Sequence, residues 1–215
     1  GSGKTYALRT MAESLNPALY KTIYLPMSSG TTMDMYRNLV TGLGEEPRYR
    51  KSDLFRQIQK AVEHFFYEKR VTPVFILDEM HLAKPEFLLD LAIIFNFSMD
   101  SKNPFVVIIA GLPFLSTRLK LNHIQPLAQR IIVHYKMEPL DKPEVFQYIN
   151  HRLKLAGATT DVFSQEALEA IASHSAGWPR LVNNLASTSL LLGAQLKKNP
   201  IDAEVVRLAS METNL

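Results

Sequence analysis

The stretch VFILDE, residues 74–79, places two adjacent acids, Asp78 and Glu79, directly after four apolar residues. A short apolar run of this kind predicts a buried strand, within residues 72–79. Nucleotide hydrolases need an acid at the carboxyl end of a strand to hold the magnesium shell, and a neighbouring group to orient the attacking water. By itself the pair also fits an ordinary strand-end turn or helix cap.

A second motif, GSGKT, occupies residues 1–5. Gly3, Lys4 and Thr5 fit the last three positions of the phosphate-binding pattern G-x-x-x-x-G-K-[ST], whose first glycine would lie three residues before Gly1. A glycine-serine linker followed by a chance match is the alternative. The acidic strand end downstream, in the right order, favours a phosphate-binding loop.

Apolar periodicity predicts alternating strands and helices in the first two thirds of the chain. The predicted strands are residues 21–26, 72–79, 104–111 and 130–135, and the predicted helices are 4–15, 33–43, 52–69 and about 85–97. Near-continuous apolar strands separated by helices indicate an α/β fold, a parallel sheet with helices on both faces. Because a central strand precedes the loop in such folds, we expect the sequence to be a fragment that lacks that strand and the first half of the loop.

After Pro139 the pattern becomes helical throughout. Helices are predicted within residues 141–157, 164–177, 179–199 and 202–210, with Ser164 as an N-cap and Gly157 and Gly177 as helix ends. The shift predicts an α/β nucleotide-binding domain at residues 1–138 and a small all-helical lid domain at residues 139–215, with the boundary near residues 136–142.

The composition is that of a globular protein, with 47% apolar and 21% charged residues. The absence of cysteine excludes disulfides and thiolate chemistry, and it permits a reducing compartment. The net charge of +3 allows an anionic partner without requiring one. Since the apolar stretches are too short and too interrupted to span a bilayer, we expect a cytoplasmic protein.

These motifs assign chemical roles to a small set of residues. The backbone N–H groups of Gly1, Ser2 and Gly3 and the following helix N-terminus would face the phosphates of ATP or ADP. Lys4 would supply a charge at the β- and γ-phosphates, and Thr5 would offer its hydroxyl to Mg²⁺. Asp78 would bind the metal through water, and Glu79 would polarise the attacking water.

The tetrad DEMH, residues 78–81, also occurs in helicases of the DExH type. Such a helicase needs a second recombinase-like α/β domain, and the helical residues that follow here are too few and of the wrong type. We therefore expect His81 to be a solvent-facing residue of a loop or helix start.

A third motif, GWPRLVNNL, spans residues 177–185. Arg180 falls at the first turn of a lid helix, where it could reach a γ-phosphate. The alternative is a surface arginine at a helix start. Trp178 is expected to pack within the lid.

Together these residues resemble the AAA+ ATPases, and more narrowly the ExeA-like group that includes the transposition helper ATPases of the TniB/TnsC kind. The resemblance rests on GSGKT, VFILDEMHL, VVIIAGLPFLSTRL, LAQRIIVHYKMEPLD and GWPRLVNNLA, which extend from residue 1 to residue 186. It implies a slow ATPase that is stimulated by a partner or by DNA.

The resemblance also implies roles for three arginines. Arg180 resembles the lid arginine called sensor 2, and Arg130 an arginine finger that reaches the nucleotide of a neighbouring subunit. Arg118 is a weaker candidate for the finger. An arginine acting in trans implies a ring or filament. The alternative for Arg130 is an ion pair within the chain.

One segment departs from the AAA+ pattern. A polar sensor residue usually follows the fourth strand, whereas this chain has Ala110, Gly111 and Leu112 there. We expect the lack of a polar residue there to affect the rate of ATP hydrolysis more than the binding of nucleotide.

Three functions are consistent with these motifs. The first is a DNA-associated ATPase that assembles on double-stranded DNA and recruits or activates a transposase. Its candidate DNA contacts are Arg48, Tyr49, Arg50, Lys51 and Lys120. The second is a secretion-associated ATPase of the ExeA type without a DNA role. The third is a scaffold gated by nucleotide binding, with little turnover.

Overall fold

The computed structural model describes residues 1–27, 30–94 and 103–213. It separates into two compact units, one of residues 5–136 and one of residues 1–4 with 137–215. The units therefore place the first four residues with the C-terminal segment, whereas the predicted domains place them with the α/β part. The division at residue 138 stays a prediction.

A parallel sheet is the centre of the larger unit. Its strands within the described residues are β1 (Tyr20–Pro26), β2 (Thr72–Asp78) and β3 (Val106–Ile109), in the order β1-β2-β3. The register pairs Pro26 with Asp78 and Leu77 with Ile109, so all three strands end at the same edge of the sheet. The predicted α/β class is confirmed.

The two N-terminal strands differ in burial. From Pro73 to Asp78 every residue of β2 is buried, and because successive side chains point to opposite faces, both faces of this strand are covered. The strand predicted at residues 21–26 is present as β1, but only Ile23 and Leu25 of it are buried.

Helices connect the strands of this unit. They are α1 (Lys4–Ser14), α2 (Thr32–Leu43), α3 (Lys51–Glu63), α4 (Pro85–Ile94), α5 (Phe114–Leu119) and α6 (Gln125–Ala128). The predicted helix at 52–69 changes at His64 into a π-helical turn, His64–Glu68. Residues 95–97 of the predicted fourth helix lie outside the described residues.

The predicted strand at residues 130–135 is wrong. This segment has neither helical nor strand structure, and Ile132 is 92% exposed. Its β-branched residues favour an extended backbone, but a strand also needs a neighbouring strand to satisfy its N–H and C=O groups. Among the described residues β3 pairs only with β2.

The smaller unit is helical. Its helices are α7 (Lys142–Leu155), α8 (Gln165–Ser175), α9 (Pro179–Gln195) and α10 (Ala203–Glu212). Helix α10 packs against α8 and α9, and the core contains Val145, Ile171, Val182, Leu185 and Val206. Among the described residues, no helix is both long enough and apolar enough to traverse a lipid bilayer.

Side-chain caps fix where these helices begin. The Ser164 hydroxyl accepts a hydrogen bond from the Ala167 N–H, which confirms the predicted N-cap. Asp141 and Glu144 form a reciprocal capping box at α7, and Thr31 and Asp34 form another at α2. Each cap satisfies N–H groups that the first helical turn leaves unpaired.

We predict that Gly177→Ala destabilises the helical unit strongly. Gly177 has φ +74°, and an added Cβ would collide with the carbonyl oxygen of Leu140. The two backbones are held together because the Leu140 N–H donates to the carbonyl of Gly177. Gly157 is the matched control, because it has φ +91° but open space around an added Cβ. We expect about 1 kcal/mol for Gly157→Ala and at least about 2 kcal/mol more for Gly177→Ala, measured as the free energy of unfolding in urea. Equal costs would contradict the packing argument.

Candidate functional site

The carboxylate of Asp78 is the best-buried acidic group of the α/β unit, with the residue only 1% exposed at the end of β2. Thr5 Oγ1 donates to Asp78 Oδ2 over 2.8 Å, and the Glu79 N–H donates to Oδ1 over 2.8 Å. Thr5 stands in the first turn of α1, so this contact joins the helix start to the strand end. The two residues predicted to share the metal therefore lie in direct contact.

Tyr24 is a third donor to Asp78, one that the sequence did not reveal. Its hydroxyl lies 3.1 Å from Asp78 Oδ2. Tyr24 stands opposite Ile76 in the register of β1 and β2, two positions before the paired residues Pro26 and Asp78. Partial burial raises the pKa of Tyr24, and the hydrogen bond to Asp78 and its negative charge raise it further. The phenol is therefore held as a neutral donor.

Glu79 begins a tight turn after the strand. Its backbone has φ +56°, in the left-handed region, and the turn continues as a 3₁₀ helix, Met80–Leu82. The Glu79 side chain is 43% exposed, so its carboxylate is accessible to water. A non-glycine residue in this conformation is uncommon.

His81 lies inside this turn, and the expectation of a solvent-facing side chain is wrong. The side chain is 15% exposed, and its Nδ1 lies 3.3 Å from Glu79 Oε2. The imidazole therefore faces the carboxylate that is predicted to act on water.

The end of β3 supports the same turn through its backbone. The Met80 N–H donates to the carbonyl of Ala110, whose own N–H donates to Leu77. A Cβ added to Gly111 would lie 3.1 Å from the backbone nitrogen of His81 and 2.9 Å from Leu115 Cδ2. Gly111 therefore packs tightly against this turn.

Both arginines considered for a contact in trans bind backbone carbonyls of their own chain. Arg118 Nη1 donates to the carbonyl of His81 over 2.8 Å, and Nη2 donates to that of Ala83 over 2.6 Å. Arg130 Nη1 donates to the carbonyl of Ala92 in α4. Arg118 therefore clamps the turn that carries Glu79.

Residues 1–4 belong to the helical unit and contact its predicted sensor arginine. The Arg180 N–H donates to the carbonyl of Gly1 over 3.2 Å, and a Cβ on Gly1 would collide with the Arg180 side chain. Gly3 has φ +84°, which favours glycine, and Lys4 Nζ donates to Ser2 Oγ over 3.4 Å. The half-buried Trp178 is the N-cap residue of α9.

The oxygen atoms of Thr5 and Asp78 fit a magnesium ion that is bound partly by phosphate and water better than a metal ion that is bound by protein side chains alone. The described residues contain no group of three or more His, Cys, Asp or Glu side chains that could hold a metal ion. Mg²⁺ is commonly bound through one or two protein oxygens, with phosphate oxygens and water completing the shell. The Thr5 hydroxyl and the Asp78 carboxylate match that pattern.

The residues predicted to contact DNA do not form a uniform set. Arg48, Tyr49, Arg50 and Lys120 are exposed. Lys51 instead pairs with Asp90 over 2.5 Å and stands over the Tyr36 ring. Lys51 is thus the least available of the five.

Residues 1–119 match the profile of a protein family described as AAA domain, which covers more than half of the chain. The chain belongs to this family. The match includes the loop residues, Asp78 and Glu79, and it confirms the predicted AAA+ class of nucleotide-binding ATPases.

General secretion pathway protein A of Aeromonas hydrophila is 30% identical over 141 residues, which are 66% of this chain and 26% of that protein. Among solved structures, Cdc6p of Pyrobaculum aerophilum matches with a TM-score of 0.73 and 19% identity, over 99% of this chain and 58% of that one. The ORC1 protein of Aeropyrum pernix, solved in complex with DNA, matches with a TM-score of 0.66 and 18% identity, over 99% and 57%. The chain thus spans only part of each relative, and the narrower likeness to transposition helpers stays a prediction.

We predict that Tyr24→Phe and Thr5→Val destabilise the α/β unit non-additively. Both hydroxyls bond the same oxygen of a buried carboxylate, so each loss should cost about 1–2 kcal/mol in the free energy of unfolding. In an Asp78→Ala background the cost of Tyr24→Phe should fall to near zero. Tyr20→Phe on the same strand is the control, because its hydroxyl bonds no described residue. An unchanged cost of Tyr24→Phe in that background would contradict the pairing.

Proposed function

We propose that this chain is the ATP-binding and ATP-hydrolysing domain of a magnesium-dependent switch, with Glu79 as the hydrolytic residue. The observation that carries the proposal is the Thr5–Asp78 contact with Glu79 next to it. A buried carboxylate is bonded by the hydroxyl of the loop, and the following acid is turned toward water. Membership of the AAA domain family supports the same chemistry.

Each site residue has one task in this mechanism. The N–H groups of residues 1–3 and of the first turn of α1 bind phosphate oxygens, and the Lys4 ammonium neutralises their charge. Magnesium, when bound, supplies charge neutralisation at the reacting phosphate. Thr5 and Asp78 hold that ion, and Glu79 accepts a hydrogen bond from the water that attacks the phosphorus.

The arginines complete the proposal for an assembled state. Arg180, at the first turn of α9, contacts the γ-phosphate. Arg130 reaches the nucleotide of the next subunit, which requires a ring or filament. Arg118 is a poorer choice for that contact, because its guanidinium already bonds the turn at His81 and Ala83.

For the cellular role, we propose a cytoplasmic helper of transposition, slow by itself and stimulated when it assembles on double-stranded DNA. In this proposal the ATP-bound assembly recruits or activates a transposase. The exposed basic loop around Tyr49, which is 91% exposed, supports a phosphate-binding surface. The fold is shared with an ORC1 protein solved on DNA.

A second role is favoured by a different observation. The 30% identity to general secretion pathway protein A supports an ATPase that energises secretion without binding DNA. A scaffold that only binds nucleotide would share the loop contacts but would not depend on Glu79. Measuring ATP turnover with and without DNA distinguishes the transposition helper, the secretion ATPase and the scaffold.

We predict that Glu79→Gln lowers ATP turnover by at least about 100-fold and leaves ATP affinity within about threefold, because the amide cannot accept the proton of water. Turnover is measured as phosphate release, and affinity by calorimetry. Glu86→Gln, an exposed acid in the first turn of α4, is the control and should behave as the wild type. Unchanged turnover in Glu79→Gln would contradict the hydrolytic assignment.

We predict that double-stranded DNA stimulates turnover and that Arg48→Ala combined with Arg50→Ala weakens DNA binding. The slope of log K against log salt should fall by up to about 2, because each lost phosphate contact removes about 0.9. Arg152→Ala combined with Arg207→Ala, at exposed arginines of α7 and α10, is the charge-matched control. Turnover that ignores DNA at low and moderate salt would contradict the DNA role and favour secretion. DNA binding unaffected by the double substitution would contradict the residues assigned here.

A further inference from the structure

The imidazole of His81 has a buried polar atom that the mechanism above does not use. Its Nδ1 is shielded from solvent and has no aligned hydrogen-bond partner among the described residues. The nearest acidic atom is Glu79 Oε2 at 3.3 Å, just beyond the 2.7–3.2 Å of a normal hydrogen bond. A buried polar atom without a partner is costly, so this placement requires an explanation.

The backbone around His81 is fixed from three sides. The Met80 N–H is bonded to Ala110, and the carbonyls of His81 and Ala83 are bonded to Arg118. Gly111 packs closely on the backbone nitrogen of His81, at 3.1 Å from where a Cβ would lie. The ring is therefore presented by a rigid turn, whereas the Glu79 side chain is 43% exposed.

We propose that His81 is a positioning residue for Glu79. The Nδ1–H of the ring donates to Glu79 Oε2 once the glutamate side chain turns to align with it. One carboxylate oxygen is then tied to the turn, and Oε1 is left to accept a hydrogen bond from the attacking water. This inference rests on the hydrolytic role proposed for Glu79.

The chemical reason is orientation. An exposed glutamate samples several rotamers, and a water held by such a group spends little time in line with the phosphorus. Fixing one oxygen from a rigid donor limits those rotamers, and small misplacements of catalytic groups lower rates by large factors. The task requires a proton on Nδ1, which the neutral ring carries in only one of its two tautomers.

The test compares His81→Leu, which removes the donor, with His81→Asn, whose amide N–H₂ can donate from near the place of Nδ1. We expect kcat to fall about tenfold or more in His81→Leu and to stay within about threefold in His81→Asn, with KM and ATP affinity unchanged in both. In a Glu79→Gln background, His81→Leu should add no further loss. His64→Leu is the matched control, because it breaks a surface His–Glu pair of 2.7 Å, and it should leave turnover unchanged.

Two kinetic results would overturn the proposal. One is a folded His81→Leu protein with wild-type or higher kcat. The other is a His81→Asn protein as slow as His81→Leu, since the hydrogen bond would then not be the reason for the loss. Urea unfolding of each variant shows whether a loss of rate reflects a loss of fold.

NMR spectroscopy tests the hydrogen bond between His81 and Glu79 without relying on ATP turnover. The ring nitrogens of ¹⁵N-labelled protein are recorded by NMR, and the His81 signals are assigned by their absence in His81→Asn. We expect the tautomer with the proton on Nδ1, and Glu79→Ala should shift that signal. A proton on Nε2 that does not respond to Glu79→Ala would overturn the proposal. If the wild type does not hydrolyse ATP, the proposed function fails, and this spectrum still decides whether the pair exists.

Discussion

The buried carboxylate of Asp78 constrains the arrangement of the α/β unit. Removing a carboxylate from water costs several kcal/mol unless hydrogen bonds compensate. Here the donors come from Thr5 at the start of α1, Tyr24 on β1 and the N–H of Glu79. A shift of the helix start, or a slip in strand register, would leave the charge unpaired. The group suited to hold a metal thus also fixes the elements around it.

The turn after β2 extends this constraint to Glu79 and His81. Asp78 ends a strand with both faces covered, and the backbone reverses at Glu79 in the left-handed region. The turn survives because Ala110, Gly111 and Arg118 bind or pack against it. His81 is the polar side chain that this turn places beside Glu79.

Local patterns predicted β2 and the N-cap at Ser164, because a short apolar run indicates a buried strand and a serine before a helical pattern can bond the first turn. They did not predict Tyr24, whose contact depends on the register between β1 and β2. They placed His81 in solvent, whereas the structure leaves its side chain only 15% exposed. At residues 130–135 they predicted a strand from composition, although pairing decides whether a strand forms.

Arginine placement links this turn to assembly. Both terminal nitrogens of Arg118 donate to backbone carbonyls, those of His81 and Ala83. If the Arg118 side chain turned toward a neighbouring subunit, these two carbonyls would lose their donor. The same movement would loosen the turn that carries Glu79, and contact in trans would then oppose hydrolysis. Arg130 bonds Ala92 in α4, outside that turn. For the proposed contact in trans, Arg130 is therefore better placed than Arg118, because moving it leaves the turn that carries Glu79 in place.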